Sequence, residues 1–253
     1  MCAAVGNQGE AIGGSTAHLP SSGEAAGPAQ RRRGLPYRIA RAAVILLAAY
    51  YIFCLVLLLV FRFFPPPITG VQLQRRLEAL VTRAEYRPSK TYRRLASMSR
   101  HVPRAVIAAE DGRFLSHSGF DLQELRAAGS EALEGRRVRG ASTITQQLMK
   151  NLFGCACRNP VRKAYDLALT PAAELILGKH RILELYLNEV EWGRGIFGID
   201  AAARHYYDVN AGRLSRTQAA GLAALLPSPR HRTIRNTSWY RAEILRRMRY
   251  HGW

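Results

Sequence analysis

The chain has 253 residues, 48% of them hydrophobic and 22% charged. That length holds one sizeable domain with an appendage or two small domains, and the composition excludes a wholly disordered, collagen-like or disulfide-built protein. Lys and Arg number 37 against 18 Asp and Glu, a formal net charge of +19, which calls for an anionic partner such as nucleic acid, lipid head groups or a phosphate-bearing substrate.

Residues 1–41 are rich in Gly, Ala, Ser and Pro and end in Arg31, Arg32, Arg33, Arg38 and Arg41; they read as a disordered, basic cytoplasmic tail. Residues 42–61 then run without a charge or a proline. A helix of that length spans about 30 Å, the hydrocarbon thickness of a bilayer. The run leads into Arg62 and the stiff Pro65 to Pro67 connector rather than a small-residue cleavage site, so it reads as a retained transmembrane anchor. The arginines before it, with none after Arg62 until Arg75, keep the N-terminus cytoplasmic by the positive-inside bias. Residues 62–253 are then extracytoplasmic. A basic domain held there meets anionic lipid and lipid-linked phosphate, and no nucleic acid is expected as a partner.

Beyond the anchor, apolar residues recur at three- and four-residue spacing near 71–84, 103–111, 121–134, 143–153, 161–190, 198–207, 215–226 and 238–250, which predicts a mainly α domain. Strand-like alternation is scarce. The cysteines, Cys2, Cys54, Cys155 and Cys157, are too scattered, and the close pair too tight, for a disulfide framework or a zinc site.

Three stretches carry chemistry. In the first, Pro103 suits the first turn of a helix and Gly112 its end, which puts Glu110 in the last turn. Partial burial and the negative helix terminus both raise a carboxylate's pKa there, as a general base working near neutrality requires. An exposed helix-end acid is the bland alternative. In the second, Gly140 to Asn151, Thr143 and Gln146 have capping-box spacing, so a helix begins there. It carries Ile144, Leu148 and Leu152 on one face and Thr143, Gln146, Gln147 and Lys150 on another. Hydroxyls, amides and a lysine near a helix N-terminus make either an anion site or a solvated face. In the third, Arg158, Arg162, Lys163 and Asp166 open a long helix. Arg162 and Asp166 can pair at i,i+4, or the cations can join Lys150 as a pyrophosphate clamp. Thr170 and Pro171 look like an N-cap and first helical residue, which predicts a break between Asp166 and Glu174.

In order, EDGRFLSHSGFD, GASTITQQLMKNLF, R-x-x-x-RK and ILELYLNEVEWGRGIFGIDAAARHYY closely resemble the family 51 glycosyltransferases that polymerise peptidoglycan, from about residue 65 to the C-terminus. Ser-x-x-Lys occurs nowhere in the chain, so the transpeptidase module of the bifunctional relatives is not expected. The resemblance implies a lysozyme-like domain on a single-pass anchor in the bacterial inner membrane, with its catalytic part periplasmic. It implies lipid II and the growing glycan strand as substrates, membrane lipids as surroundings, and other cell-wall synthesis and division proteins as partners. Carried over by motif position, Glu110 is the general base and Asp111, Phe114 and His117 shape its cleft. Ser142, Thr143, Gln146, Lys150, Arg158 and Lys163 bind substrate, the donor pyrophosphate above all. Asp166 takes the second carboxylate role, where the family usually has the longer glutamate. Mg2+ or Mn2+ could bridge carboxylate and phosphate oxygens there. Asp166 also leaves open a weakened lipid II-binding or scaffold protein, and the partial likeness to lysozyme a hydrolase.

Overall fold

The apolar run from residue 42 is the greater part of one long helix, α1 (Leu35–Phe63), the one described helix long and apolar enough to cross a membrane. The computed structural model describes residues 34–135, 142–154 and 160–253. The tail with Cys2, the turn at Gly140 and the loop with Cys155, Cys157 and Arg158 lie outside the described residues. By its contacts the chain divides after Val44. The described residues before that point are the exposed start of α1, and Ile45–Trp253 forms one packed unit.

Eight further helices follow among the described residues: α2 (Gly70–Thr82), α3 (His101–Glu110), α4 (Leu122–Leu133), α5 (Ile144–Phe153), α6 (Pro160–Glu189), α7 (Ile199–Tyr207), α8 (Arg216–Ala223) and α9 (Ser238–Tyr250). Three short strands, β1 (Ser89–Lys90), β2 (Glu191–Gly193) and β3 (Ile196–Phe197), form a sheet in the order β1-β3-β2. The mainly α expectation holds, and caps mark the helix starts. Thr143 closes the expected capping box with Gln146 at the head of α5, and Ser215 does the same with Gln218 for α8. Asp121 accepts from the N–H groups of Gln123 and Glu124 to start α4, each such cap satisfying donors that have no partner within the helix.

The core joins Ile144, Leu148 and Met149 of α5 to Leu169, Ala173, Ile182 and Leu185 of α6, with Val102 and Val106 of α3 and Leu222, Ile244 and Met248 of α8 and α9. Cys54, Leu58 and Phe61 of α1 belong to the same buried cluster. Tyr51 donates from its hydroxyl to the Ala168 carbonyl at 3.2 Å, and Arg181 Nε donates to the Phe61 carbonyl at 2.8 Å. The C-terminal half of α1 thus packs on α6.

The break in α6 falls at a different place from the one expected. Pro171 sits inside the helix and Gly178, at φ 72 and ψ 162, is its non-helical residue. Proline's fixed φ is itself helical, so α6 continues through it, absorbing the missing N–H and the crowding of the ring against the carbonyl one turn back. Thr170, far from capping a new helix, turns its hydroxyl back onto the Asp166 carbonyl at 2.9 Å. Gly178 has the freedom at positive φ that a side chain denies, and there the chain turns.

Beyond the turn, α6 ties down the segment between α2 and α3. Glu184 accepts from Tyr92 Oη and the Leu95 N–H, both at 2.7 Å, and Asn188 Oδ1 accepts from the Arg93 N–H at 2.8 Å. Glu189 accepts from Lys90 Nζ at 2.6 Å and from Gln72 Nε2 at 3.0 Å. Glu184 is met on both oxygens, whereas Glu189 takes both of its donors on Oε2 and its Oε1 is buried without a hydrogen-bond partner.

Candidate active site

Glu110 is the last residue of α3, and α9 holds that end of the helix. Tyr240 Oη donates to the Ala109 carbonyl at 2.9 Å and Arg247 to the Ala108 carbonyl at 3.3 Å, satisfying carbonyls left over at the helix end with a hydroxyl and a cation. The two oxygens of Glu110 differ. Oε2 accepts from Gln147 Nε2 at 2.8 Å, whereas Oε1 is buried with no hydrogen-bond partner. Burial raises the Glu110 pKa, opposed by the Gln147 hydrogen bond and by the positive charges of Lys150 and Arg232.

Gln147 is held in turn. The hydroxyl of Tyr186, on α6 and fully buried, donates to Gln147 Oε1 at 2.8 Å. The amide therefore has its oxygen toward Tyr186 and its nitrogen toward Glu110. The sequence puts Gln147 on the polar face of α5, but its motifs imply no role for Gln147 or for Tyr186. Neighbouring Gln146 faces elsewhere, closing the capping box and donating to the Gly119 carbonyl at 3.3 Å. Two adjacent glutamines cannot be told apart by spacing, and the residue that distinguishes them lies 39 positions away.

Asp111, next to Glu110, is fully engaged. Oδ1 meets His117 Nε2 at 2.8 Å and Oδ2 accepts from the Ile144 N–H at 3.0 Å, at the start of α5. His117 Nδ1 accepts from the Gly119 N–H at 3.1 Å, so the ring proton in this arrangement sits on Nε2 and points at Asp111. Burial raises the Asp111 pKa, and these hydrogen bonds oppose it. Phe114 is fully buried, edge-on to His117 at 6.4 Å and beneath Lys179 Nζ at 4.3 Å from the ring centre. Thr143 Oγ1 donates to the Gly119 carbonyl at 2.7 Å. These four residues pin the loop after Glu110 to the head of α5, and thereby fix Glu110 against Gln147.

One turn along α5 from Gln147, Lys150 is sensitive to both carboxylates. Burial and the nearby Arg162 lower its pKa, while Asp166 and Glu110 raise it. Asp166 is buried on α6, with Oδ2 paired to Arg162 and Oδ1 buried without a partner. Burial pushes its pKa up to about 6 against the pull of Arg162 and Lys150. Glu174 is occupied elsewhere, accepting from Thr145 Oγ1 at 2.5 Å and Lys179 Nζ at 2.8 Å. Lys163 and Ser142 are exposed. The structure thus brings together Glu110, Gln147, Lys150, Arg162 and Asp166.

A family model described as transglycosylase matches residues 77–250. The chain belongs to the transglycosylase family. Among its curated relatives, the biosynthetic peptidoglycan transglycosylase of Pseudomonas putida is 46% identical over 175 residues, covering 69% of this chain and 74% of the relative. The protein of the same name from Pseudomonas fluorescens is 43% identical over 196 residues, covering 74% and 82%. That from Ectopseudomonas mendocina is 45% identical over 174 residues, covering 69% and 72%. In this transglycosylase the match spans α3, α5 and α6, so Glu110, Gln147, Lys150, Arg162 and Asp166 all lie within it.

A divalent ion has two conceivable places. Asp111, His117 and Asp121 present ligand atoms within 4.8 Å of one another. Asp111 and His117 are already satisfied, however, and Asp121 is held by Arg113 and the two N–H groups it caps, a set that leaves no hard oxygen free. Asp166 Oδ1 is different, an orphaned carboxylate oxygen of the type Mg2+ or Mn2+ takes.

Proposed function

We propose that this membrane-anchored transglycosylase polymerises lipid II, joining a glycan held on polyprenyl pyrophosphate to the 4-hydroxyl of an N-acetylglucosamine with inversion to a β-1,4 bond. The observation that carries the reading is Glu110, whose Oε2 is held by Gln147 while Oε1 stays free. Oε1 takes the proton of the attacking hydroxyl as its oxygen bonds to the anomeric carbon, and the bond from that carbon to pyrophosphate breaks. The negative charge that leaves with pyrophosphate is met by Lys150 and by Arg162, the latter held in place by its pairing with Asp166. Pyrophosphate is already a good leaving group, so the reaction needs these cations more than a second acid. By motif position Arg158, Lys163 and Ser142 are further ligands of the pyrophosphate. A bound Mg2+ or Mn2+ would be held by Asp166 Oδ1 and would neutralise phosphate charge.

The reading places the N-terminus in the cytoplasm, α1 through the inner membrane and the domain in the periplasm, where lipid II and other cell-wall synthesis proteins are met. Leu115, Leu122 and Leu125 are exposed just past the base and support contact of this side with the bilayer. The test is polymerisation of purified lipid II by the detergent-solubilised protein. The parent should make glycan strands and Glu110→Gln should not. A parent that binds lipid II without polymerising it would point instead to a scaffold, and an Asp166→Ala variant as fast as the parent would remove Asp166 from the site.

A further inference from the structure

Helix α2 is amphipathic the wrong way round for a soluble domain. Beside the buried Val71, polar residues face inward: Gln72 donates to the buried Glu189 at 3.0 Å, and Arg75 reaches Glu191 at 3.2 Å as well as Glu78 at 2.9 Å. Four large apolar residues face outward, Leu73, Leu77, Leu80 and Val81, at 48, 54, 74 and 85% exposure. These four lie at i, i+4, i+7 and i+8, a single stripe along the helix. A stripe of that kind turned to water is disfavoured, and on a natural domain it marks a contact surface.

What covers it is indicated by where α2 begins. Its first residue, Gly70, comes seven positions after α1 ends at Phe63. Gly70 lies so near the Gly154 carbonyl that a Cβ would come within 2.4 Å of that oxygen, so α2 starts against the end of α5. The same end of α5 touches the anchor, since the Phe153 ring stacks on Phe61 at 6.3 Å and its carbonyl accepts from Tyr50 Oη at 2.9 Å. Phe63 and Phe64 are exposed between the two helices. Arg76 and Arg83, exposed beside the stripe, make no ion pair among the described residues, and they suit lipid phosphates.

We infer that the outward stripe of α2 is immersed in the leaflet next to the domain, as a second membrane contact lying along the surface beside the anchor. The inference rests on α1 spanning a membrane, and the experiment separates the two. In the full chain with Cys2, Cys155 and Cys157 replaced by serine and Cys54 left buried, a nitroxide is placed at Leu77→Cys, with Leu46→Cys on the anchor and Arg213→Cys on the exposed domain surface as references. Each variant is reconstituted in phosphatidylglycerol and phosphatidylethanolamine vesicles, and collision with oxygen is compared with collision with a water-soluble nickel chelate. At 77 the label should favour oxygen and lose its response to the chelate, as at 46 and opposite to 213. A label at 77 that behaves like 213 while 46 remains in lipid overturns the inference alone. If 46 also behaves like 213, the anchored reading falls and takes the inference with it. Spin–spin broadening at 77 that vanishes on dilution with unlabelled protein would assign the stripe to a second copy of the chain and overturn the inference. Leu80→Cys repeats the measurement one turn on.

Discussion

The hydroxyl of Tyr186 decides which end of the Gln147 amide Glu110 meets, because its 2.8 Å hydrogen bond to Oε1 leaves only the amide nitrogen to face the base. That nitrogen holds the Glu110 pKa down against burial. Gln147→Leu should therefore shift the acidic limb of the polymerisation rate toward higher pH and reduce the rate at neutrality. Tyr186→Phe should shift it in the same direction by less, and should cost about 1 to 3 kcal/mol of stability, since it leaves a buried amide oxygen unmet. A rate-against-pH profile for the three proteins measures the shift, and coincident profiles would refute the relay.

Glu110→Gln should keep the fold and lose activity. The amide is the same size but has no basic oxygen, and removing a positioned base costs about a hundredfold to ten-thousandfold in rate. Circular dichroism and the lipid II assay together check this, unchanged folding with unchanged rate being the result that excludes Glu110 as base.

Asp166 should trade stability for function. Its pKa rises from an ordinary 3.8 to about 6 on burial, so between those values the folded state holds a proton that the unfolded state has released. Stability then falls as pH rises through that window and stays lower above it. Asp166→Asn should be more stable than the parent at pH 8 by roughly 1 to 3 kcal/mol, with the gain disappearing toward pH 4. It should also polymerise more slowly, having lost the partner of Arg162. Thermal melting at the two pH values gives the sign.

Gly178→Ala should destabilise the domain although nothing lies within 4 Å of where its methyl would stand. The strain is in the backbone, since φ 72 with ψ 162 is a region that side chains rarely enter, at a cost of about 1 to 3 kcal/mol. A fall in melting temperature checks it. An unchanged melting temperature would mean that α6 had found another turn.

The helices were legible because each depends on local rules. The capping box of Thr143 and Gln146 and the apolar spacing of Ile144, Leu148 and Leu152 need nothing from the rest of the chain. The turn in α6 was misplaced because Pro171 is a conspicuous signal that this helix tolerates, while Gly178, which does turn it, sits in a stretch with no other break. In the candidate site, spacing put Glu110 in the last turn of α3 and Lys150 on the polar face of α5, while the roles given to them came from the family resemblance and the partner of Glu110 could not be read at all. Whether Gln146 or Gln147 meets the base is settled by Tyr186, a buried residue on another helix, and only packing brings it there. The inverted face of α2 was hidden for the same reason, since a helical stripe has no inside until its neighbours are known.

Cys54, Leu58 and Phe61 are counted among the buried core although they lie in the membrane helix. The anchor is accordingly less a leash than a missing stave of the barrel. A domain cut free at the Pro65 to Pro67 connector would bare the strip of α6 around Tyr165 and Ile176 that packs against this cluster, a patch that detergent or lipid would cover in place of the lost helix.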